Sequence, residues 1–415
     1  MVSIDRSNVA RLAVAGASLL LATNMAVAGP KAYVGNFGDS TVSAIDTATN
    51  KVVATIPVAT GPHGMQLSAD GKTLFVTGDG SSSMSVIDTA TDKVTKTVDV
   101  GQTPNGISLT PDGKQLLVAA NGTDKILFLD AKTQATLGSV DVKKPHTVSL
   151  TPDGKLAYVT SQDPGHFAIV AIDVAKRAVT ATVPLDKTPR DAEFGFDGKD
   201  FYYSVAGLSA IEVLDPKVNK VVAEVPTGAS PHFVTIFKQS PQLGMIIVQG
   251  PGELAFFDPA TNKVVRSVKV GDQPHWLALS GDGKTAFATN EGSNTLSIID
   301  IASGKTTTVD VGKMPRKVVV QQTARAAAAD APSGQKVEIN NFAFGPQKIS
   351  VKVGDSITWT NADALAHTVT FKNKSPGAKN LNPKEAFTRK FDQAETLDYF
   401  CSYHPYMTGS VTVVQ

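Results

Sequence analysis

A period of about 42 residues runs through most of this 415-residue chain and restricts its fold more than any other feature. The plainest marker is an apolar residue followed by aspartate, at Asp46, Asp88, Asp130, Asp173, Asp215, Asp258 and Asp300. Proline recurs at positions 62, 104, 145, 189, 231, 274 and 315, and Asp-Gly-Lys at 70–72, 112–114, 153–155, 197–199 and 282–284. Asp-Gly between alternating apolar runs is a tight hairpin signal. Each unit therefore predicts four short strands. In the second unit they fall near His63–Ser68, Thr73–Thr77, Met84–Asp88 and Lys93–Val100. Val, Ile, Leu and Thr dominate these runs, as strands prefer. The 3.6-residue periodicity of a helical solenoid is absent. Four strands in each unit of this length form the signature of a β-propeller blade.

The two ends of the array complement each other. Only three strands precede the first repeat proline, Pro62, and one extra strand, Pro315–Val320, follows the last repeat aspartate. Three plus one completes a blade, so the expectation for residues 29–322 is a closed seven-bladed ring. Closure removes sheet edges that would otherwise invite aggregation. Segments such as Ser85-Val86-Ile87-Asp88-Thr89-Ala90-Thr91 and Ser68-Ala69-Asp70-Gly71-Lys72 resemble YVTN-type β-propeller repeats over about residues 31–321. That resemblance implies a fold and leaves function open, because propellers serve binding, structure and catalysis alike.

Residues 1–28 have the pattern of a signal peptide. Arg6 and Arg11 supply the positive start, Leu12 to Ala22 the apolar run, and Ala26-Val27-Ala28 the small-residue cleavage pattern, with cleavage after Ala28. The alternative, a membrane anchor, requires a longer apolar run. The expectation is an exported, periplasmic protein without a membrane span. Charge is balanced, 39 Lys and Arg against 38 Asp and Glu, which argues against a nucleic-acid partner. Residues 323–335, rich in Ala with Pro, Ser and Gly, break the strand pattern and suit an interdomain linker. Their four consecutive alanines also admit a short helix.

Beyond the linker, residues 336–415 change period. Strand runs at Val337–Ile339, Lys348–Val353, Ser356–Thr360, Thr368–Phe371, Ala386–Phe391, Leu397–Phe400 and Ser410–Val414 predict a compact β-sandwich. The fold class expected of the whole chain is all-β, a propeller followed by this sandwich. The sandwich carries the only cysteine, Cys401. A lone cysteine in an exported chain forms no internal disulfide, so its thiol is reactive, intermolecular or a metal ligand. Its neighbours favour the third option. Cys401-Ser402-Tyr403-His404-Pro405-Tyr406-Met407 places thiolate, imidazole and thioether on one loop, with His367 lying 34 residues upstream. Two imidazoles, one thiolate and a weak axial thioether are the donors of a type 1 copper site. Zinc is disfavoured, since only three strong donors are present and methionine binds it poorly.

Phe344-Gly345-Pro346, Gly354-Asp355-Ser356-Ile357-Thr358-Trp359, Ala366-His367-Thr368-Val369 and Tyr399-Phe400-Cys401 through Met407 resemble amicyanin and its relatives pseudoazurin and plastocyanin. The two-residue gap between His404 and Met407 is similar to the short amicyanin loop. The resemblance implies a cupredoxin domain whose single copper, held by His367, Cys401, His404 and Met407, carries electrons to redox partner proteins. It further implies that His404 lies at the surface and passes those electrons, with Pro405 and Tyr406 either in the docking patch or in ordinary loop packing. Many relatives carry Asn after the first histidine to order the copper loops; this chain has Thr368.

Four repeat prolines precede His63, His146, His232 and His275, and the other three precede Asn105, Arg190 and Arg316. The first strand of a propeller blade lines the central channel, so these side chains are expected in a ring at one channel mouth. Three readings stay open for that ring: a second copper site, an anion site using charge-assisted hydrogen bonds, or turn packing. The leading function is periplasmic electron transfer, with the propeller as a docking or binding platform and a homo-oligomer compatible with the pattern. The alternative is a copper-dependent oxidoreductase whose propeller channel holds a second metal or substrate, fed by the cupredoxin. Copper storage is a third class. No haem attachment motif, phosphate-binding glycine loop or nucleophile elbow is present.

Overall fold

The computed structural model describes residues 30–195, 198–236, 243–322, 335–340, 342–363, 365–404 and 406–414. The expected signal peptide lies outside the described residues, as does the expected linker except Gln335, which already opens a strand. Among the described residues the fold is all-β apart from one 3-10 turn at Asn121–Thr123. No helix there is long and apolar enough to cross a membrane.

The repeats form seven four-stranded antiparallel sheets. In the second, the strands are Pro62–Leu67, Thr73–Gly78, Ser83–Asp88 and Lys93–Asp99. One sheet draws on both ends of the array, with Lys31–Asn36 pairing antiparallel with Pro315–Val320. The first strands of the sheets, Pro62–Leu67, Pro104–Leu109, Pro145–Leu150, Pro189–Phe194, Pro231–Ile236, Pro274–Leu279 and Pro315–Val320, pack against one another in a closed cycle. This is a β-propeller.

Each sequence marker has a local job. The repeat proline starts the innermost strand, a position where its missing N–H costs no ladder bond. The repeat aspartate caps the turn between the third and fourth strands. Asp46 Oδ1 accepts from the Ala48 and Thr49 amides and the Thr49 hydroxyl at 3.0, 2.8 and 3.0 Å, and Asp88 repeats the arrangement. The Asp-Gly-Lys turn joins the first two strands: Asp70 Oδ1 accepts from Ser68 Oγ and the Lys72 amide, and Gly71 takes φ +69°. Apolar side chains of adjacent sheets interdigitate, as where Tyr33, Val42, Leu74 and Val76 pack between the first two.

The C-terminal domain is a sandwich of two mixed sheets. One contains Ala343–Gly345, Gln335–Asn340, Ser356–Asn361 and Ala386–Lys390; the other contains Lys348–Lys352, Thr408–Val414, Thr396–Phe400, His367–Phe371 and Ala378–Leu381. Burial alternates along Lys348–Lys352 and Thr408–Val414, as strands with one face on a core require. Between the sheets lie Trp359, Tyr399, Val337 and Val411, all fully buried. Each such large side chain contributes roughly 1.5–3 kcal/mol by leaving water. Two strands exceed the sequence expectation, Ala343–Gly345 and Ala378–Leu381. Both are too short to show alternation, and both adjoin proline or glycine.

Candidate metal centre

Two strand ends and one turn build the centre. His367 opens the strand His367–Phe371, and Cys401 directly follows Thr396–Phe400. Met407 directly precedes Thr408–Val414, so the segment from Cys401 to Met407 turns the chain between paired strands. Three backbone bonds close that turn: His404 N–H to Cys401 O at 3.1 Å, Met407 N–H to His404 O at 2.8 Å, and Cys401 N–H to Met407 O at 3.0 Å.

The turn places Cys401 Sγ 3.6 Å from His367 Nδ1 and 3.5 Å from His404 Nδ1. Nitrogen and sulfur donors bound tetrahedrally to one ion at roughly 2.0 and 2.3 Å are themselves separated by roughly 3.5 Å. The three atoms therefore already stand at the spacing of a shared metal. Among the described residues no other group of three or more His, Cys, Asp and Glu donors lies within 4.8 Å of one another. Cys401 and His367 are fully buried and Met407 nearly so, while His404 is half-buried. Met407 lies in the same core cluster as Cys401.

The surroundings fix both the orientation and the charge of these donors. His367 Nε2 meets Asp363 Oδ2 at 2.8 Å, which leaves Nδ1 turned to the sulfur. Asp363 Oδ2 also accepts the Phe342 amide at 2.9 Å, and Asn361 Oδ1 accepts the Asp363 amide at 3.0 Å. Phe342 presents a perpendicular ring to His367 and His404, with centroids 5.1 and 4.6 Å away. Burial pushes the Cys401 thiol up, but His367, the Thr368 amide (3.3 Å from Sγ) and His404 outweigh it and hold it at about 6. Burial likewise pushes His367 down, and Asp363 with Cys401 reverses the direction to about 9. A low thiol pKa beside oriented imidazoles is the condition for a thiolate metal ligand.

Sequence reasoning singled out His367, Cys401 and His404, which the fold brings together, and missed Asp363 and Phe342. The one available signal was the i, i+4 spacing of Asp363 and His367, which carries meaning only once the loop between them is known. Thr368 has a clear role: its Oγ1 accepts the Ser402 amide at 2.6 Å and bonds Thr370 Oγ1 at 2.9 Å, tying the two copper loops together. Tyr403 and Tyr406, whose rings lie 6.5 and 6.0 Å from that of His404, are about half exposed. Pro405 lies outside the described residues.

Residues 331–414 match the plastocyanin/azurin family of copper-binding proteins, and residues 5–109 and 143–326 match the YNCE-like β-propeller family. The chain belongs to the YNCE-like β-propeller family, and its C-terminal domain to the plastocyanin/azurin copper-binding family. Amicyanin-alpha of Methylorubrum extorquens is 36% identical over 97 residues, spanning 22% of this chain and 81% of the amicyanin. Amicyanin of Paracoccus denitrificans is 32% identical over 108 residues, 25% of this chain and 82% of the relative. The propeller resembles a solved chain of Kuenenia stuttgartiensis hydrazine synthase at 22% identity and TM-score 0.60, covering 69% of this chain and 99% of the other. That likeness is one of fold. Copper, which the plastocyanin/azurin family implies, suits the donor set at His367, Cys401 and His404.

The propeller histidines form no comparable cluster. His63 and His146 stand edge to face with centroids 5.2 Å apart, and His232 and His275 lie 4.0 Å apart. His232 Nδ1 is 3.0 Å from Asp191 Oδ2, His146 Nδ1 bonds Thr147 Oγ1 at 3.1 Å, and His275 Nε2 is 3.8 Å from Glu291. Arg316 pairs with Glu291 at 3.1 Å and stacks 3.6 Å over Phe37; Arg190 bonds Ser230 and Gln249, each at 3.3 Å. Burial pushes His63, His146 and His275 below the usual imidazole range, so these three stay neutral at pH 7. Among the described residues these donors do not converge as those around Cys401 do, and no second copper is supported there.

Proposed function

We propose that this protein is a periplasmic electron carrier, exported by residues 1–28 and cleaved after Ala28. In this reading one type 1 copper would be held by His367, Cys401, His404 and Met407. The seven sheets are the blades of a YVTN-type ring over residues 29–322 that docks or binds a partner. The observation that carries the copper reading is the placement of Cys401 Sγ within 3.6 Å of two imidazole Nδ1 atoms.

Bound copper supplies a one-electron couple between Cu(I) and Cu(II). Everything else falls to the chain. Cys401 offers a soft donor already inclined to its thiolate form, and Asp363 holds the His367 ring so that Nδ1 faces inward. The closed turn from Cys401 to Met407 keeps the donors in place whichever oxidation state is present, which keeps reorganisation small. Burial of Cys401, His367 and Met407 excludes water. The half-buried His404, flanked by the exposed rings of Tyr403 and Tyr406, provides the exit for the electron and an aromatic contact for a periplasmic redox protein.

Copper-loaded protein should absorb intensely in the red through thiolate-to-copper charge transfer, and Cys401→Ser should abolish that band. A colourless Cu(II) form, or colour surviving the substitution, would sink the reading.

A further inference from the structure

A cavity of about 1070 Å³ runs through the propeller, lined from all seven innermost strands. Most of its charged groups already have partners. Arg316 faces Glu291 at 3.1 Å, and Asp191 faces His232 at 3.0 Å and Thr147 Oγ1 at 3.0 Å. His63 and His275, which also line it, are kept neutral by burial. Asp70, which also lines it, accepts from Ser68 Oγ and the Lys72 amide, and this leaves Lys317 and Glu193.

Lys317 is the conspicuous one. Its Nζ sits 3.2 Å over the Trp276 ring, and Phe233 stacks on Trp276 at 3.8 Å, so Lys317 and Phe233 bracket the indole. Among the described residues no carboxylate lies within ion-pair distance of Nζ and no hydrogen bond engages it. Burial pushes the ammonium down to about 8, opposed by Asp191 and Glu193. Burial pushes Glu193 up to about 7, opposed by Lys317 and Thr235. Lys317 and Glu193 belong to Pro315–Val320 and Pro189–Phe194, strands three places apart around the ring, so a ligand touching both would span the channel.

We propose that the propeller cavity binds a small organic monocarboxylate, its carboxylate held by the Lys317 ammonium. One cation without a counter-ion calls for one negative charge. A dianion would gain nothing further from Lys317 and would face Asp191 and Glu193, and a metal cation would meet the ammonium. A carboxylate accepts from the Lys317 ammonium in charge-assisted bonds that are stronger than neutral ones. The cavity is at the upper end of the usual 300–1,000 Å³ range for small-molecule pockets, which leaves room for an apolar remainder beside Trp276. This site goes beyond the electron-carrier reading and stands without it.

Calorimetric titration of the full chain with acetate, pyruvate and benzoate, and with neutral benzamide as control, tests the proposal. Saturable binding of at least one carboxylate is expected, weakened about tenfold or more in Lys317→Met and retained in Lys317→Arg. Glu193→Gln, which leaves the Lys317 ammonium in place, should still bind. Wild-type protein that binds none of the three, or Lys317→Met that binds as well as wild type, overturns the site. Should Lys317→Met fail to fold, benzoate against benzamide on the wild-type protein decides, and equal binding of the two overturns it.

Discussion

Burial alone would keep the Cys401 thiol protonated at neutral pH, yet His367, the Thr368 amide and His404 bring it to about 6. His367 moves the opposite way, to about 9, because Asp363 and the thiolate both favour its charged form. In metal-free protein the thiolate contributes stability that is complete above the unfolded thiol value, about 8.5, and is lost as pH falls through 6. The imidazolium contributes stability that is complete below its unfolded value, about 6.5, and is lost as pH rises through 9. Between about 6 and 9 both are charged. The ultraviolet thiolate absorbance of metal-free protein should therefore rise with a midpoint near 6 and vanish in Cys401→Ser, whereas a midpoint above 8 would contradict the pairing. Asp363→Ala removes the acceptor on His367 Nε2 and should weaken copper binding about 10–100-fold, measured by competition with a chelator. Unchanged affinity would mean that the carboxylate does not hold the ring. The cluster of His367, Cys401 and His404 was legible in the sequence because two of the three share one short turn. Asp363 was not, since its role depends on how residues 361–367 fold back through Asn361, whose Nδ2 bonds Leu365 O and Leu381 O at 2.8 Å each.

At the scale of the strand, glycine serves the propeller in two distinct ways. In the innermost strand Pro62–Leu67, a Cβ on Gly64 would stand 2.2 Å from the Asn105 carbonyl of the next sheet, and the backbone there has an ordinary φ. Gly71 is the reverse case, with open space around it and φ +69°. Gly64→Ala should cost about 1–3 kcal/mol by forcing adjacent innermost strands apart. Gly71→Ala should cost closer to about 1 kcal/mol, through the left-handed turn alone. Thermal melts of the two variants check this, and a larger loss at Gly71 would show that close approach of the strands is not what limits the ring. The repeated Asp, Pro and Asp-Gly-Lys made the four-strand unit readable, because each marks a turn or strand start with its own backbone requirement. In the sandwich, Ala343–Gly345 escaped notice because three residues show no alternation, and it follows Phe342 at φ +54°.

Over the whole molecule, the repeat alignment gathered the right strands around the channel and singled out the position just after each proline. Pairing of Lys31–Asn36 with Pro315–Val320 is likewise foreshadowed by the count of strands at either end. The alignment could not give the charge of the channel, because the facing groups arrive from other strands: Glu291 beside Arg316, and Asp191, from the adjacent sheet, beside His232. Lys317 went unnoticed for the same reason, being one residue beyond the position that drew attention. These pairings bear on how many metals the chain holds. Four imidazoles arranged as two ring contacts, with His232 and His275 each facing a carboxylate, offer no three donor atoms at the spacing achieved around Cys401. Copper analysis should accordingly give one equivalent per chain in the wild type. The same value should hold in a His232→Ala and His275→Ala double variant that keeps its red absorption. A wild-type value near two that falls to one in the double variant would instead place a second copper in the propeller, and with it the oxidoreductase reading that the sequence left open.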